Sequence, residues 1–179
     1  MLAARAVESK SNEITAMPEL LDMLTIEGAI VTIDAMGTQK AIAAKIIEKK
    51  ADYVLAVKEN QGSLYADVEA FFADPALREA CAAQESIDAG HGRVEERTAR
   101  AADAGWLAER HPHWKGLQSI AAVTCLRTNK KTGSASKETR FFISSLPPDP
   151  APLLAAARKH WGIENNLHWT LDVAFREDE

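Results

Sequence analysis

Three things are scarce in this sequence, and each scarcity narrows the reading. Cysteine occurs only as Cys81 and Cys125, and neither belongs to a CxxC pair. That argues against a disulfide framework or a cysteine zinc site, and both thiols read as isolated buried groups. Long apolar runs are missing too: the stretch from Ala151 to Ala157 is far below the roughly 20 residues that span a bilayer. No charged-then-apolar leader opens the chain, where Met1 precedes a mixed segment holding Arg5, Glu8 and Lys10. The expectation is a soluble, cytoplasmic chain with no membrane partner. Positive charge is also not in excess. A net charge of −5 argues against a basic protein that coats DNA non-specifically. Internal repeats and low-complexity tracts are absent as well.

What is present is enough for a core. Of 179 residues, 46% are hydrophobic, which makes wholesale disorder a poor reading and one sizeable domain a good one. The charge is unevenly spread. Residues 86–145 carry ten Lys or Arg against six Asp or Glu, whereas residues 1–60 carry seven against nine. A basic middle on an acidic chain is compatible with DNA contact at one surface and equally with an ordinary solvated face.

Residues 2–8 are apolar enough for a strand. Glu13 to Glu27 read as a helix that starts near Met17, because Pro18 suits a first turn better than an interior. Ala29 to Ile33 and Tyr53 to Val57 are short β-branched runs of the type buried on both faces of a sheet. Between them, Gly37 to Lys50 has helical spacing, with Lys49 and Lys50 in the last turn. Ser63 can cap a further helix to about Phe72. This is a βαβ unit, which implies a largely parallel sheet there. Residues 74–90 are Ala-rich and weakly periodic. β-type segments follow at Val94 to Ala99, Leu117 to Thr128 and Glu138 to Ser145, the last two joined by a polar turn. After Pro147 and Pro148, Pro152 opens a helix to about Trp169.

Four places could carry chemistry. Asp34, in V-T-I-D-A-M-G, lies just past a buried strand, where open α/β sheets bind ligands; the plain reading is a helix cap or turn former. In H-W-G-I-E-N-N-L-H-W, residues 160–169, helical spacing sets His160, Glu164 and His168 on one face. That face suits a metal carboxylate with polar neighbours, a zinc site, or a structural His–Glu pair, although neither the zincin nor the di-iron spacing is present. G-H-G-R-V-E-E-R, residues 90–97, offers His91 and Arg93 to phosphate, or simply begins a hairpin. V-K-E-N-Q, residues 57–61, places Lys58 at another strand end, able to pair a phosphate or a carboxylate.

Taken together, K-S-N-E-I (10–14), V-T-I-D-A-M-G-T-Q (31–39), D-Y-V-L-A-V-K-E-N-Q (52–61), H-G-R-V-E-E-R (91–97), R-F-F-I-S-S-L (140–146) and the final segment 160–179 resemble the DDE-type insertion-sequence transposases of the H-repeat-associated group. The motifs run in the same order from about residue 9 to the end. The resemblance implies an α/β, ribonuclease-H-like mixed sheet with flanking helices and a β-rich insertion. It divides the chain into a partial core (1–73), the insertion (74–146) and a core helix (147–179). It implies DNA cleavage and strand transfer with Mg²⁺ or Mn²⁺. Asp34 matches the second Asp of the trio and Glu164 the Glu, and both would be catalytic and metal-binding. Lys58, Arg93, His160 and Asn165 would contact DNA, the transposon ends and target being the partners. Assembly of several copies is compatible with this.

Two departures matter. His160 and Ala157 stand where related transposases carry Arg and Tyr, and Arg158 is the residue expected to compensate. The first Asp has no counterpart, since Asp22 alone precedes Asp34 and falls in a predicted helix. N-terminal strand or strands are therefore expected to be missing, and a truncated, inactive transposase with an open sheet edge is expected. The alternative is a non-catalytic fragment that binds DNA or full-length transposase and inhibits it.

Overall fold

The β-branched runs do form strands, and they lie side by side. In the computed structural model, residues 10–90 and 92–163 are described. The first strand, β1 (Ile30–Ile33), pairs in parallel with β2 (Asp52–Val57), and the helix α2 (Lys40–Glu48) connects them. Of the two, β2 is the one buried along most of its length. β1 is half-exposed, because it forms one edge of the sheet and leaves Ile30 45% exposed.

The parallel relation stops there. The chain continues through α3 (Ser63–Ala73) and α4 (Pro75–Ala80) into β3 (Ala82–Gly90), β4 (Arg93–Asp103), α5 (Gly105–Arg110), β5 (Ser119–Asn129) and β6 (Ala135–Ser144). These four strands form an antiparallel run, and β6 returns to pair antiparallel with β2. The result is one six-stranded mixed sheet in the order β1-β2-β6-β5-β4-β3. The expected β-rich region is thus continuous with the sheet of the βαβ unit.

Helices cover both faces. On one, α1 (Lys10–Met23), α2, α3 and α5 bury Ile42, Ile46, Leu64 and Leu107 against Tyr53, Leu55 and Ile143. On the other, α6 (Pro150–Ile163) lays Leu153, Leu154, Ala157 and Trp161 over Val54, Ala121, Val123 and Phe142. Alternation along β6 assigns Ile143 to one core and Phe142 to the other, as strand geometry requires.

Several sequence expectations shift. α1 begins at Lys10 and carries Pro18 inside it. Tertiary anchoring outweighs the lost amide: Leu21 is buried, Met17 packs on the core, and Lys49 donates to the Leu21 and Asp22 carbonyls at 2.7 and 2.9 Å. The cap of α3 is Gly62, not Ser63, and its φ of +51° is a conformation that favours glycine. Cys125 is buried as expected, whereas Cys81 is only partly so. The strand expected over 2–8 lies outside the described residues. Among the described residues, no helix is long and apolar enough to cross a membrane.

Candidate active site

The loops after β1 and β2 are tied together at the carboxyl end of the parallel pair. Asp34 Oδ1 accepts the Gly37 amide at 3.0 Å, which closes the turn. The buried Thr38 hydroxyl lies 2.8 Å from the Asp34 carbonyl and 2.7 Å from that of Ala56, and its single proton can serve either. Asn60 Nδ2 and Gln61 Nε2 both donate to the Ala35 carbonyl at 2.8 Å, and Gln61 also reaches the Thr38 carbonyl at 3.2 Å. The two motifs that looked separate in the sequence, D-A-M-G-T-Q and V-K-E-N-Q, are therefore one hydrogen-bonded unit. Asn60 and Gln61 build the Asp34 loop, a role their sequence position did not show.

A cavity of about 780 Å³ opens beside this unit. Asp34, Lys58 and His160 all line it, together with Glu138, Arg140 and Trp161. Asp34 and Lys58 are exposed at its mouth. His160 comes from α6, and its Nδ1 lies 3.2 Å from the Thr32 hydroxyl on β1. The long sequence separation between these residues is closed by α6 crossing the sheet.

Part of the same lining is an ion-paired cluster. Arg140 Nε donates to Glu138 Oε1 at 2.6 Å, and Arg127 Nη1 donates to Glu138 Oε2 at 2.9 Å. The Arg140 guanidinium also lies 4.9 Å from the centre of the Trp161 ring. The hydrogen bond from Arg140, reinforced by Arg127, holds the Glu138 carboxyl below the ordinary carboxylate range. The Tyr65 phenol, also in the lining, is pushed up chiefly by its 2.8 Å hydrogen bond to Glu69, with burial adding to it.

Other expected site residues fall elsewhere. Arg93 does not line the cavity; its Nε pairs with Glu95 Oε1 at 2.7 Å. Glu95 is 8% exposed and also pairs with Arg97, so R-V-E-E-R contributes a structural ion cluster on β4. Arg158 is held by Asp88 of β3 at 2.8 and 3.0 Å. Glu164, Asn165, His168 and His91 lie outside the described residues. The site residues not foreseen are Glu138 and Arg140. Their nearness to Asp34 depends on β6 pairing with β2, which no local pattern encodes.

Asp34 also bears on metal binding. Its Oδ2 has no hydrogen bond among the described residues, and its side chain is exposed to the cavity. A hard carboxylate oxygen in that state suits a divalent cation as a single ligand, and among the described residues no group of three or more His, Cys, Asp or Glu is placed to complete a site around it.

The fold and the cleft define a mixed α/β domain whose cavity, at the carboxyl end of its parallel strands, is lined by both acidic and basic side chains. The family follows from comparison: residues 1–179 match the model described as "Transposase DDE domain". The chain is 42% identical over 174 residues to "Putative transposase YncI" of Escherichia coli O157:H7, covering 96% of this chain and 45% of that protein. It is 39% identical over 176 residues to "H repeat-associated putative transposase YhhI" of Escherichia coli K12, covering 96% and 47%. The chain belongs to the DDE transposase family, as the resemblance implied. It spans about half the length of the curated relatives it matches. DDE transposase domains generally use divalent metal ions.

Proposed function

We propose that this chain carries part of the catalytic centre of an insertion-sequence transposase, which cleaves DNA and transfers the cut strand. The observation that carries the reading is the placement of Asp34 beyond a parallel strand, in one cavity with Lys58 and His160. Asp34 and Glu164 are the residues that would hold the ions, and Mg²⁺ or Mn²⁺ suits their hard oxygens. When bound, two such ions neutralise phosphate charge and activate water or a DNA 3′-hydroxyl for in-line displacement.

The chain's own residues do the remaining work. The Gly37 amide and the Thr38 hydroxyl hold the Asp34 loop in place, so the carboxylate reaches the cavity without searching. Lys58 stands at the mouth to pair a phosphate oxygen, and His160 would approach the same strand from α6; Asn165 is proposed as a further DNA contact. Arg93 would meet the DNA farther out along β4. On this reading the fold is ribonuclease-H-like, with 1–73 as core, 74–146 as insertion and 147–179 as the helix segment bearing Glu164. A strand carrying the first Asp would pair with the outer edge of β1, which has no partner among the described residues. Because the sequence holds no counterpart of that Asp, the chain alone is proposed to be inactive.

The test is nicking of a duplex that carries the element's ends, in Mg²⁺, by a version of relatives' full length. Asp34→Asn and Glu164→Gln should each abolish cutting, and the 179-residue chain should not cut. Cutting that ignores both substitutions would place the active carboxylates elsewhere.

A further inference from the structure

We propose that Arg140 is a DNA-backbone contact of the cleft, held ready by Trp161 and Glu138 to grip a phosphate beside Asp34. The inference rests on the reading of the cleft as a DNA site.

Phe141 of β6 is the register partner of Val57 of β2, so continuing the antiparallel ladder sets Arg140 across from Lys58. Both side chains line the cavity that holds Asp34. A DNA phosphate approaching an exposed carboxylate is repelled, and cations lining the same cavity offset that repulsion.

The Arg140 head is fixed twice, by Nε on Glu138 Oε1 at 2.6 Å and by its stacking 4.9 Å from the Trp161 ring centre. Neither contact uses the terminal nitrogens, and Nη1 and Nη2 carry no hydrogen bond among the described residues. That leaves a planar two-nitrogen fork, the shape that binds phosphate bidentately, with its rotamer entropy already lost.

The neighbouring arginines differ. Arg97 spends Nη1 on Asp88 and Nη2 on Glu95, Arg127 spends Nη1 on Glu138, and Arg158 spends Nη2 on Asp88. They hold strands and helix together. Arg140 alone of this group keeps both terminal nitrogens for a ligand while facing the cavity.

The test measures binding of a short labelled duplex of arbitrary sequence to the 179-residue chain, across a range of salt, without divalent ions. Backbone contacts are sequence-independent, so no recognition sequence is needed. Arg140→Gln should weaken binding several-fold and reduce the slope of log affinity against log salt by about one. Arg140→Lys should keep the slope and lose part of the affinity, since the charge stays and the fork goes. Thermal unfolding of each variant confirms that the fold is intact. Arg110→Gln, which alters a cation paired with Asp67 away from the cleft, should leave the slope unchanged. The inference is overturned if wild-type chain does not bind the duplex. It is also overturned if Arg140→Gln binds like wild type, or if Arg110→Gln costs as much. A failure here with nicking still abolished by Asp34→Asn leaves the catalytic reading intact. The reverse result keeps Arg140 as a DNA contact and removes the catalytic reading.

Discussion

Oδ1 of Asp34 closes the turn on the Gly37 amide, and Oδ2 is left for the cavity. The plain reading of this residue as a turn former and the chemical reading as a ligand are therefore compatible. The turn itself is tightly made. A Cβ on Gly37 would sit 2.5 Å from Ile33 Cγ2, so Gly37→Ala must push the loop away from β1. We expect it to destabilise the fold by about 1–3 kcal/mol in urea unfolding; wild-type stability would show that the loop yields freely. Thr38 is 1% exposed, and Thr38→Val removes its hydroxyl at constant shape. The Asp34 and Ala56 carbonyls then lose their donor, at an expected cost of about 1–3 kcal/mol. If Thr38→Val unfolds at wild-type denaturant concentration, the bond between the two loops does not hold the site.

At the scale of elements, β1, α2, β2 and the β5–β6 hairpin were legible, because their apolar periodicity and turn residues are local signals. Others were not. β3 is exposed along most of its length, so it carries no burial pattern to read. α5 is a six-residue helix that shows one buried side chain, Leu107, too little for a period. The site was legible in the same uneven way. Asp34 and Lys58 sit at strand ends and show themselves in the sequence, but Glu138 and Arg140 reach the cavity only through long-range strand pairing. Their ion pair has a pH signature. The folded state lowers the Glu138 pKa, so its contribution is present above the ordinary carboxylate range and lost as pH falls through the lowered value. Glu138→Gln should therefore flatten the acid limb of the stability–pH curve and leave stability above neutrality with little further pH dependence. An unchanged acid limb would show that the carboxylate is no better stabilised folded than unfolded.

Across the whole molecule, the sheet has an unequal pair of edges. β3 ends one side, and β1 ends the other with its outer edge unpaired among the described residues and Ile30 45% exposed. An open edge with apolar side chains invites pairing with another strand. We expect the isolated chain to self-associate as concentration rises, and Ile30→Lys to reduce it in sedimentation velocity. Equal association by both forms would move the contact elsewhere.

Iron-directed cleavage tests, without needing DNA, whether Asp34 lies at a divalent-ion site. Fe²⁺ with ascorbate and peroxide breaks the backbone close to wherever the ion binds. Cuts are predicted beside Asp34, suppressed by excess Mg²⁺ and absent in Asp34→Ala. Cuts confined to other segments, or persisting unchanged in Asp34→Ala, would place the ion away from Asp34.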